Sequence, residues 1–173
     1  NPNQTLRLVK VVEYLLKLCQ TNGWPCAASE TMGKFHGPGK RVDPCPYANL
    51  LMIKLLSLFP EWRNGRQIQL GSEALLQCWE KRESFHPFLF YMGTDFCKLK
   101  APLIWFDILH VTSVLSELEW LKEDERLKDM IRLITTKADE EGLFVPESVW
   151  TAWKEWDFGQ KKAPSAWLTY LVS

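Results

Sequence analysis

The chain has 173 residues with 21 basic and 21 acidic side chains, and 46% of it is hydrophobic, including nine Trp and nine Phe. That content excludes a solvated tail, and a zero net charge argues against a nucleic-acid binder, whose footprint is a basic excess. The best candidate for a membrane span, from Leu103, meets Asp107 after four residues, so no span is expected.

Apolar residues recur at helical spacing almost throughout. Residues 4–20 are apolar apart from a stripe at Arg7, Lys10, Glu13, Lys17 and Gln20. Residues 47–58 are apolar nearly all round, which predicts a helix buried between neighbours. In 66–82, Ile68, Leu75, Leu76 and Trp79 share a face, and 103–118 again reads as buried. Leu127, Met130, Ile131, Ile134 and Ala138 form one stripe of 124–139, and 166–172 closes the series as a third buried helix. Outer, half-wet helices therefore alternate with inner, dry ones.

A repeat supports this order. Pro44, Pro102 and Pro164 recur at a period of about sixty residues, each with basic residues before it and an aromatic three positions after. Proline suits a first helical turn, where its missing N–H has no partner to lose. The expected fold is all-α: an array of three helical hairpins in one domain over 1–173, with repeats near 1–60, 61–120 and 121–173. Inner helices with open flanks would leave Ile53, Leu56 and residues 166–172 uncovered, which predicts a partner such as a second copy or a missing N-terminal half. Five scattered cysteines, at 19, 26, 45, 78 and 97, do not form a disulfide framework. With no signal peptide visible, a reducing, cytoplasmic setting is expected.

The loops ahead of the inner helices hold the residues that suggest chemistry. Lys40, Arg41, Lys98, Lys100, Lys161 and Lys162 all precede inner-helix starts, where cations oppose the helix dipole. They are expected either to bind a phosphate or carboxylate ligand or to pair with Asp43, Asp95 and Asp157. Asp107, His110, Ser113 and Glu117 share a face of the second inner helix, as a cavity lining would. Asp107 and His110 can make an internal hydrogen bond or a metal ligand with its orienting carboxylate. Asp43, Cys45 and His110 would give zinc three ligands and an open position, although Cys45 also suits a small buried hydrophobe. Cys26 and His36 offer a second loop set with Cys45. Trp150, Trp153 and Trp156 read as a cluster capping a loop.

These motifs resemble those of the α/α toroid of terpenoid cyclases and protein prenyltransferase β subunits, and the C-terminal two thirds resemble bacterial prenyltransferase- or squalene-cyclase-like proteins. Asp43-Pro44-Cys45-Pro46-Tyr47 and Asp107-Ile108-Leu109-His110 are similar to the prenyltransferases' zinc-binding Asp-x-Cys and Asp-x-x-His patterns. The resemblance implies half a toroid, a zinc ion on Asp43, Cys45 and His110, and an isoprenoid diphosphate or other apolar anionic ligand. Lys40 and Arg41 would meet the diphosphate, and Tyr47, Trp105, Asp107 and Trp167 would line the cavity. The cyclases' Asp-rich protonation motif is absent. The alternative is a scaffold or protein-interaction domain that keeps the fold without the reaction.

Overall fold

The structure, a computed structural model, describes residues 2–26, 31, 43–85 and 90–173, with side chains from residue 7 onward. Six α-helices and one two-stranded sheet form the main regular structure of the described residues, which are mostly helical. The helices are α1 (Pro2–Lys17), α2 (Pro46–Ser57), α3 (Arg66–Glu80), α4 (Ile108–Ser116), α5 (Glu125–Thr135) and α6 (Ala166–Val172). Strands β1 (Lys100–Ala101) and β2 (Ser148–Val149) pair in parallel, Lys100 opposite Ser148 and Ala101 opposite Val149. Among the described residues no helix is long and apolar enough to cross a membrane.

All six expected helices form, but the second inner helix starts five residues later than its apolar run. Ala101 lies in the strand pair, and the residue before a proline favours extended backbone. The helix begins only where Asp107, extended at φ −144° and ψ 172°, accepts the His110 N–H on its side chain. The sixty-residue period survives in the N-caps, Cys45, Asp107 and Ser165. Proline occupies the first turn of α2 alone among the three inner helices.

The residues gather into two compact units, Asn1–Leu75 with Pro87–Leu89, and Leu76–His86 with Phe90–Ser173. The division falls inside α3, away from the expected repeat boundaries. In the first unit, Val12 of α1, Leu50, Ile53 and Leu56 of α2, and Ile68 and Leu75 of α3 are all fully buried. Each such side chain contributes about 1.5–3 kcal/mol relative to leaving it in water. The expectation that Ile53 and Leu56 stay uncovered is thus wrong: both face the core, and α2 turns Leu51 and Lys54 outward instead.

One buried polar residue organises this unit. Asn49 of α2 accepts the Trp24 N–H at 2.9 Å and donates to the carbonyls of Trp24 at 2.9 Å and Cys45 at 2.8 Å. Trp24 in turn donates its indole N–H to Leu15 O. The approach leaves no room for a side chain at Gly23, whose φ is +101° and whose added Cβ would meet Asn49 Oδ1 at 2.4 Å. The turn after α1 is thereby fixed against the start of α2.

In the second unit, α4 packs on α5, burying Ile108, Leu109, Val111, Val114 and Leu115 against a face carrying Leu127, Met130 and Ile134. Asp124 caps α5 by accepting the Arg126 N–H. Trp79, from the end of α3, donates to Asp129 of α5 at 3.1 Å and carries Arg82 over its ring. Helix α6, expected as a third buried helix, buries only Leu168 and leaves Trp167 and Tyr170 exposed.

Candidate functional site at the start of the second inner helix

Asp107 is the most unusual side chain of the second unit. It is fully buried; Oδ1 accepts the His110 N–H at 2.9 Å, whereas Oδ2 has no hydrogen-bond partner among the described residues. Burial pushes its carboxyl up to about 7, against the opposing pull of its helix N–H bonds and the Lys100 charge. A helix cap needs only one oxygen, so the second is left buried beside it with no partner among the described residues.

His110, one turn on and almost fully buried, donates from Nδ1 to the Trp105 carbonyl at 2.8 Å. A carbonyl only accepts, so Nδ1 carries a proton. The expected Asp–His contact therefore exists, but through the His110 backbone rather than its ring. The polar face does not continue as a lining: Ser113 is half-buried and Glu117 is exposed, because α4 stops after nine residues with Glu117 as its C-cap.

Asp95 captures the neighbouring lysines. Lys98 reaches it at 3.3 Å and Lys100 at 2.5 Å, and the Lys100 hydrogen bond holds the Asp95 carboxyl below its ordinary value. Of the two expectations for these lysines, pairing within the loop is what the geometry displays. Lys161 and Lys162 are exposed ahead of α6; Lys40, Arg41 and His36 lie outside the described residues.

Above this polar group lies an aromatic surface. Trp105 meets Trp150 edge-on at 5.8 Å, and both are partly exposed, at 38% and 50%. Trp153, Trp156 and Phe158 form a triangle with ring separations of 5.7–5.8 Å. The loop beneath is well fixed. Glu147 accepts the Leu99 N–H and pairs with Lys137, while Gln160 donates to the carbonyls of Lys154 and Trp156. Gly159 packs so closely that a Cβ there would lie 2.0 Å from Trp153 O. Of the expected Trp150, Trp153 and Trp156 cluster, Trp153 and Trp156 gather with Phe158, whereas Trp150 meets Trp105, beside the strand pair.

Asp43, Cys45 and Tyr47 belong to the first unit, and Trp167 to the second. Asp43 and Tyr47 are partly exposed. Cys45 is buried, caps α2 through its backbone only, and has its thiol pushed up to about 11 by burial. Among the described residues, no group of three or more His, Cys, Asp and Glu side chains gathers to hold a metal ion. Trp167 stacks on Tyr170 at 5.9 Å and is about half exposed. No family model matches the chain, and neither a curated protein nor a solved structure does.

Proposed function

We propose that the chain is a protein-interaction domain built of α/α hairpins, whose contact surface is the aromatic loop around Trp105, Trp150 and Trp156. The observation that carries this reading is the division of labour at the start of α4. Asp107, His110, Lys98 and Lys100 are engaged in holding the loop and helix, while the tryptophans above them are exposed on a fixed support. Half-exposed tryptophans rimmed by charges of both signs match the composition of interface centres. The partner we infer is a second copy, which would complete a toroid of which this chain is half. A net charge of zero means that two copies do not repel one another. Sedimentation at micromolar concentration should show a dimer, weakened at least tenfold in a Trp105→Ala/Trp150→Ala double variant. A wild-type monomer, or a dimer indifferent to the substitutions, would refute the reading.

One observation favours a second reading, in which the domain resembles prenyltransferases in function as well as in motif. His110 is oriented by a carbonyl on Nδ1, the usual second partner of a metal-bound histidine. Zinc held through His110 would lower the pKa of a bound thiol, and Lys40 and Arg41 would bind an isoprenoid diphosphate. Zinc retained at one equivalent, lost in His110→Ala, with a melting point raised by pyrophosphate, would establish it.

A further inference from the structure

We propose that α1 lays its outward face on an anionic lipid surface. Along a helix, residues at intervals of three and four form rows. Val9, Val12 and Leu16 make the inward row of α1, with Val12 fully buried and the other two half-buried. The next row round the helix is Leu8, Val11, Leu15 and Leu18, and beyond it come Arg7, Lys10, Tyr14 and Lys17. A helix that packs on a core by one face ordinarily turns polar residues outward. Here Leu8, Val11 and Tyr14 are about half exposed, at 46%, 55% and 56%, and the three cations stand exposed beside them.

Charge decides what covers this face. The one carboxylate of α1, Glu13, lies on the far side of the basic row from the apolar one. Among the described residues, no carboxylate pairs with Arg7, Lys10 or Lys17, whereas Lys98, Lys100, Lys122 and Lys137 of the second unit each have one. An apolar row beside unpaired cations suits a helix lying in a headgroup layer. Leu8 and Val11 enter the acyl boundary, Tyr14 buries its ring and keeps its hydroxyl in water, and the cations meet lipid phosphates and carboxylates. A second copy of α1 docked on the same face would set cation against cation. The chain has no net charge, so the attraction is local to this helix and is screened by salt. The surface lies in the first unit and the aromatic loop in the second, so neither reading depends on the other.

The test is co-sedimentation of the whole chain with vesicles of phosphatidylcholine, alone or with about 30% phosphatidylserine, at about 0.1 M salt. The mixed vesicles should take up the protein at least about tenfold more strongly than the neutral ones, and about 0.5 M salt should remove most of the difference. A Lys10→Gln/Lys17→Gln variant should bind the mixed vesicles about tenfold more weakly, and Val11→Gln/Tyr14→Gln should weaken binding by a factor of about the same size. All four positions are exposed, so both variants should keep the wild-type circular dichroism and melting temperature. No uptake, the result if a second copy or another protein segment covers the face, would overturn the proposal. So would equal uptake by both kinds of vesicle, or uptake that neither double variant changes.

Discussion

Replacing Asp107 with Asn isolates the cost of burying an acid. The folded carboxyl titrates near 7 against 3.8 for the free side chain, so the fold favours the protonated form. A carboxylate with a raised folded value leaves stability intact below pH 4 and removes it as the pH climbs towards 7. Each unit corresponds to about 1.4 kcal/mol, and three units give about 4 kcal/mol as an upper bound. Local hydration of the charged form brings the expected loss to about 2–4 kcal/mol between pH 4.5 and 8. Asn caps a helix as well as Asp, so the bond to the His110 N–H persists. The Asn amide nitrogen replaces an oxygen that lacks a partner, a penalty of about 1–3 kcal/mol that does not vary with pH. Urea unfolding at both pH values measures the difference between the two proteins, from which that constant cancels. The variant should gain about 2–4 kcal/mol on the wild type as the pH rises. Parallel pH profiles would refute the reasoning.

Two further substitutions test the supports on which the surfaces rest. Asn49→Ala orphans only the Trp24 N–H, since the Trp24 carbonyl keeps the Cys45 N–H and the Cys45 carbonyl keeps the backbone N–H of residue 49. With the lost side-chain bonds, the cost should be about 2–4 kcal/mol. Thermal melting should fall by about 5–12 °C, and a fall under about 2 °C would contradict the role given to Asn49. Gly159→Ala forces a Cβ onto Trp153 O and should disturb the tryptophan triangle while leaving the helices intact. Near-ultraviolet circular dichroism should lose tryptophan signal with the far-ultraviolet spectrum unchanged; an unaltered near-ultraviolet spectrum would show that the loop yields easily.

Helices were legible because burial of one face imposes its period directly on the residues. Leu127, Met130 and Ile134 could be assigned to a core face without any knowledge of what covers them. The start of α4 was misplaced because apolar content between Leu103 and Phe106 outweighed a stronger local signal, an Asp three residues before His110, which is an N-cap pattern. The two-residue strands left no periodicity to read, and their pairing depends on residues 48 apart. At the site, side-chain identity suggested acid, base and cation but not their partners. Asp95 was identified as a possible mate for the lysines, yet only the folded loop brings Lys98 and Lys100 to it. Asn49 is a polar residue among apolar neighbours in that run, and the contrast was the available sign of its clamp on Trp24.

The pairing of β1 with β2 also orders the way the second unit comes together. The α4–α5 hairpin is a local structure, able to form from neighbouring residues, whereas the strand pair joins the two ends of the segment that contains it. Closing that longer loop carries an entropic cost before any strand bond compensates it. The hairpin can therefore assemble first and the sheet afterwards, with Glu147 bonding the Leu99 N–H as the ends meet. In the reverse direction, the strand pair is expected to release while the hairpin is still folded. Trp150, whose backbone N–H donates to Ala101 O just beyond the pair, is then expected to join the unit late and to open early, as exchange of that N–H with deuterium would report.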